Sequence, residues 1–272
     1  MGVSTLDTHL YLKKSSRVIN LTGLGWLIVF LVMLAIFQRR LHYEIQAILL
    51  VITRRADIAL VLFSLLFLPG VILHETSHFV SAHLLGVRTG RFSIIPQPLP
   101  DGRLRMGYVE TVSTDIVRDA LIGSAPLLVG CIVVLYVTLI PLGLTTVWTD
   151  FVRGNLVVLS DAVGSMYKRP DFWLWFYLVF VVSSTMMPSA SDRRAWLPLA
   201  VSAALILVIG LLIWPGITVT ETWISISPKI NIGVFALILV FGVSVVFHLI
   251  LLAPMWLIRK ILMRMLGVQV VY

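Results

Sequence analysis

Two histidines four residues apart, with a glutamate beside the first, form the segment His74-Glu75-Thr76-Ser77-His78. On a helix, positions i and i+4 lie one above the other on the same face, so both imidazoles are available to one zinc ion. Glu75 then stands where a general base for water activation is needed, the arrangement of an H-E-x-x-H zinc hydrolase. The segment lies in a strongly apolar stretch. An ionisable cluster is expensive to bury there and is read first as a functional site. Chance yields only about 0.002 copies of such a pattern in a chain of this composition, so coincidence explains it poorly.

The elements that must carry this motif are membrane helices. The 272 residues are 59% hydrophobic and 12% charged, with a mean hydropathy of +1.00. Soluble domains carry about a quarter charged residues, so the composition indicates an all-α polytopic membrane protein. Six segments meet the length of a spanning helix, near 19–37, 57–85, 116–142, 171–188, 195–214 and 232–258. The first follows Lys13, Lys14 and Arg17 and reads as a retained anchor, being too long for a signal-peptide core. The net charge of +8 lies between apolar runs, where it sets topology; nucleic acid is not an expected partner. With both termini cytoplasmic, the inner segments hold the larger share of Lys and Arg, against an outer basic cluster at 39–55. Leu41, Ile45, Leu49 and Ile52 suggest a short interfacial helix, and residues 148–166 a second. Residues 87–112 alternate around Pro96, Pro98, Pro100 and Asp101-Gly102, which predicts a small β-hairpin on the cytoplasmic side.

Catalytic zinc takes three protein ligands, so a further Asp, Glu or His must reach the same depth from another helix. His83 is nine positions from His74, a rotation of about 900°, and faces the opposite way. His248 lies mid-span and reads as a packing or hydrogen-bonding residue, while His9 and His42 fall outside the predicted spans. Cys131 is alone in an apolar run and offers no cysteine metal motif. Among the acids, Asp150, Asp161 and Asp171 fall on the outer side, and Asp192 on the inner side is the best candidate by elimination. Pro69-Gly70, just before the motif, suggests a helix break that opens a polar cavity.

These parts, taken in order, resemble the site-2 protease family of intramembrane zinc metallopeptidases over roughly residues 57–195. The carriers are the HETSH helix, the basic hairpin, Gly123-Ser124-Ala125-Pro126-Leu127-Leu128 early in the next span, and Pro188-Ser189-Ala190-Ser191-Asp192. The resemblance implies zinc ligands at His74 and His78, a general base at Glu75, and a third ligand at Asp192, where Pro188 and Asp192 match the family's later motif. The chain departs from that motif at Thr185, which replaces an Asn, and at Arg193, which replaces a Gly. One residue fewer separates Pro188 from Asp192, and the Asn usual near the Gly-Pro element is missing.

The expectation is one membrane-embedded peptidase-like domain over 1–272, with its core at 57–195, in a bacterial plasma membrane. It hydrolyses a peptide bond of a membrane-protein or peptide substrate in or near the bilayer. The alternative is a catalytically inactive family member, a scaffold or accessory subunit of a membrane complex. A metal transporter is disfavoured, because no matched pair of broken helices recurs in two halves of the chain.

Overall fold

The computed structural model describes residues 21–94, 97–98, 104–105, 107–145, 161, 164–213 and 219–267. The elements run α1 (Leu21–Thr53), α2 (Ala56–Leu84), β1 (Thr89–Ser93), β2 (Gln97–Pro98), β3 (Leu104–Arg105), β4 (Tyr108–Thr111), α3 (Ile116–Leu139), α4 (Phe172–Thr185), α5 (Trp196–Ile213) and α6 (Val219–Leu266). All six predicted apolar segments are helical. Among the described residues, four helices are long and apolar enough to cross a membrane: Thr22–Thr53, Ala56–Leu84, Ile116–Leu139 and Ser227–Leu266. Large apolar side chains such as Ile28, Val61, Leu128 and Leu205 stay exposed on the outer faces. Such surface is costly in water and suits lipid. The chain is therefore a polytopic helical membrane protein.

α4 is different. Its 14 residues span only about 21 Å, less than the roughly 30 Å hydrocarbon layer. Pro188 disfavours helix at the residue before it, and the chain turns through 187–195 before α5 begins. Irregular backbone of this kind is stable beside a membrane helix only where protein covers it or it lines a cavity. Here it lines a cavity, described below.

The first span and the expected interfacial helix are one continuous helix, α1. The basic cluster at 39–55 is therefore mostly helical, and not a loop. Glu44, fully buried, receives Arg40 at 3.0 Å and Arg259 of α6, and both guanidinium groups lie over the Tyr43 ring at 5.2 and 5.6 Å. A buried carboxylate needs such partners. Burying it also brings α1 against α6, the most extensive helix pair among the described residues. His42 corrects a second expectation, since it sits within α1 against Phe63 and Phe67 of α2. Most of the expected surface helix at 148–166 lies outside the described residues; Asp161 and 164–166 are helical.

Within the expected hairpin at 87–112 the described residues form two antiparallel ladders, β1 with β4 and β2 with β3, with a register shift between Thr89 and Phe92. Pro96, Pro100 and the expected turn at Asp101-Gly102 lie outside the described residues. The hairpin follows Gly86, whose φ of 69° provides the left-handed turn out of α2. α3 then starts at Asp115, whose carboxylate accepts the N–H groups of Val117 (3.1 Å) and Arg118 (3.0 Å). The Arg118 amide bond, with the Arg118 charge, holds the Asp115 carboxyl below its ordinary value, so this cap is charged at neutral pH.

Pro69 lies inside α2 without ending it, so Pro69-Gly70 is no break. Gly70 has another use. A Cβ there would overlap Thr185 Oγ1 and come within 2.7 Å of the Val181 carbonyl oxygen. The absence of a side chain lets α2 and α4 touch backbone to backbone, as small residues do between membrane helices.

Candidate metal centre

His74 and His78 project from adjacent turns of α2, with ring centroids 4.9 Å apart. Asp192 arrives from the turn after α4 and places Oδ2 3.7 Å from His74 Nε2 and Oδ1 3.4 Å from His78 Nε2. Ligand atoms of all three residues lie within 4.8 Å of one another. Their side chains are only 10–14% exposed. The structure thus brings together the three metal ligands expected from the sequence, across a separation of more than a hundred residues.

The outer ends of both imidazoles are fixed by backbone. His74 Nδ1 lies 2.7 Å from the Thr185 carbonyl oxygen, and His78 Nδ1 lies 2.8 Å from that of Ile122. A carbonyl only accepts, so each Nδ1 carries a proton and each Nε2 is turned towards Asp192. Two imidazole nitrogens and a carboxylate thus face one another. With Nε2 unprotonated the group can hold a metal ion, and the N, N, O donor set fits zinc with a position left open.

Proline chemistry explains why the Ile122 carbonyl is available. In a helix it would accept the N–H of the residue four positions on, which is Pro126 and has none. His78 takes the vacant place. The Gly-Ser-Ala-Pro element therefore acts through two of its residues, because Gly123 lies against the Asp192 backbone so tightly that a Cβ would overlap the Asp192 carbonyl oxygen.

The turn holding Asp192 is also internally bonded. Its Oδ2 accepts the Ser189 N–H at 2.7 Å, and Ser189 and Ser191 hydroxyls meet at 2.7 Å. Burial raises the Asp192 pKa, but the contacts with His74 and His78 and the Ser189 N–H outweigh it and hold the carboxyl well below the usual carboxylate range. Asp192 is therefore a carboxylate at physiological pH.

A cavity of about 1030 Å³ opens over the cluster. Its walls include Glu75, the hairpin from Gly107 to Thr111, the start of α3 and the 189–195 turn. Glu75 is buried, and Gly107 lies over it closely enough that a Cβ would come 2.8 Å from Glu75 Cγ. The hairpin thus roofs the predicted base. Exposed His83 stacks near Phe79 away from the cluster, while His248 is fully buried and bonded to Ser184 and Ser244.

Sequence reasoning missed the Thr185 and Ile122 carbonyls, because any residue type can present a backbone acceptor. The proline four residues past Ile122 was the one signal that could have found it. Scanned against protein-family models, and searched against curated proteins and solved structures, the chain matches none. Fold and site together define a polytopic membrane protein with a buried His-His-Asp cluster able to hold a metal ion.

Proposed function

We propose that this protein is an intramembrane zinc metallopeptidase, similar to site-2 proteases, that hydrolyses a peptide bond of a membrane-protein substrate in or near the bilayer. The observation that carries the reading is the convergence of two Nδ1-protonated imidazoles and one carboxylate beside a glutamate, in a cavity reached from a membrane helix. Zinc held by His74, His78 and Asp192 would supply Lewis acidity and bring the pKa of a water towards about 7. Glu75 takes the proton from the attacking water and delivers it to the leaving amine nitrogen.

A transmembrane substrate helix has its backbone bonded internally and must unwind before cleavage. β4 borders the cavity and belongs to a two-stranded sheet, so strand addition along it offers the unwound segment new backbone partners. This reading includes a bacterial plasma membrane with both termini cytoplasmic, so that water enters from that side.

Metal content of the purified chain tests the reading. About one zinc per chain is expected in the wild type, and its loss in His78→Ala. A wild-type preparation that takes up no zinc contradicts the peptidase and leaves the scaffold or accessory subunit, which the departures at Thr185 and Arg193 favour.

A further inference from the structure

The last turn of α4 carries two things the centre needs: the Thr185 carbonyl that orients His74, and the start of the turn that delivers Asp192. A helix C-terminus is normally its loosest part, because its final carbonyls have no partner in the helix. Here Pro188 makes it worse. The Ser184 carbonyl would accept the N–H of the residue four positions on, and proline has none.

Two other helices compensate. From α1, Gln38 Nε2 donates to the Ser184 carbonyl oxygen at 2.5 Å. From α6, His248 holds the same residue by its side chain. His248 Nδ1 lies 2.7 Å from the Ser244 carbonyl oxygen and so carries the proton, leaving Nε2 to accept the Ser184 hydroxyl at 2.9 Å. His248 is fully buried and Ser184 nearly so. The carbonyl and the hydroxyl of Ser184 are thus both committed, and the Thr185 carbonyl follows on the next residue.

We infer that Gln38 and His248 are positioning residues for the metal centre, fixing the end of α4 so that Thr185 sets the His74 ring and the following turn sets Asp192. Neither touches the ligands. They act through Ser184, one bond further out than the carbonyls on the imidazoles, and the inference rests on the metal-centre reading above. Supports of zinc ligands typically change metal affinity by about 10–100-fold when removed.

The test uses the full chain in detergent, with zinc affinity measured by chelator competition and the His74 ring read by ¹⁵N NMR of the metal-free protein. Gln38→Leu, His248→Leu and the smaller Ser184→Ala are each expected to weaken zinc by about 10–100-fold. Each should also mix the His74 tautomers, which in the wild type are held as Nδ1–H. His248→Gln keeps an acceptor for Ser184 and a donor for Ser244, and should restore values close to wild type; general loss of packing would not be rescued this way. Folded Ser184→Ala and Gln38→Leu that both keep wild-type affinity and an unchanged His74 tautomer overturn the inference. If the wild type itself takes up no zinc, the metal centre fails, and the tautomer shift alone then decides for or against the positioning role.

Discussion

Glu75→Gln is expected to bind zinc as the wild type does and to cleave substrate about 10²–10⁴-fold more slowly, the usual contribution of a positioned general base. The substitution keeps size and shape but cannot take a proton. Glu75 is not one of the three converging ligands, which are His74, His78 and Asp192. Its loss therefore separates proton transfer from metal holding. The variant also controls for fold, since Gly107 packs on the Glu75 side chain and glutamine preserves that contact. A preparation free of other proteases is needed, with product formation followed on a reconstituted membrane substrate. Unreduced cleavage would remove Glu75 from the mechanism.

Gly123→Ala is the second large effect, and its sign is opposite to what helix propensity alone gives. Inside a helix, alanine is favoured over glycine by about 1 kcal/mol. Gly123 lies within α3, so propensity predicts a gain. The Cβ, however, would overlap the Asp192 carbonyl oxygen and come 2.9 Å from its carbonyl carbon. Backbone cannot swing aside as a flexible side chain does, so the 189–195 turn must move and carry the carboxylate with it. The expected result is zinc affinity lower by about 10–100-fold in a protein that still folds. Chelator competition beside a thermal melt reads both quantities. Wild-type affinity in Gly123→Ala would mean that Asp192 does not depend on this contact.

These effects show how unevenly the site was legible in the chain. The i, i+4 spacing of His74 and His78 survives translation into structure because a helix converts sequence spacing directly into a shared face. Asp192 was reachable by depth, since the outer acids belong to the far end of their segments. The hairpin was legible from alternation and turn residues. By contrast, His42 was assigned to a connection because the first apolar run stops before Arg39-Arg40. The structure continues the helix, because Glu44 is neutralised by Arg40 and by Arg259, more than two hundred residues away. Charge pairing across that distance leaves no local trace. Gly70 and Gly123 were likewise read only as parts of motifs. Which backbone approaches a glycine is decided by packing, and only the folded chain names Thr185 for one and Asp192 for the other.

The most direct test of the central claim is the position of zinc in a crystal of the purified protein, located by anomalous scattering at the zinc edge. The account predicts one ion, about 2.0–2.1 Å from Nε2 of His74 and of His78 and about 2.0–2.2 Å from an Asp192 carboxylate oxygen. An ion held without Asp192, or a zinc-soaked crystal with no ion between the two histidines, would contradict it.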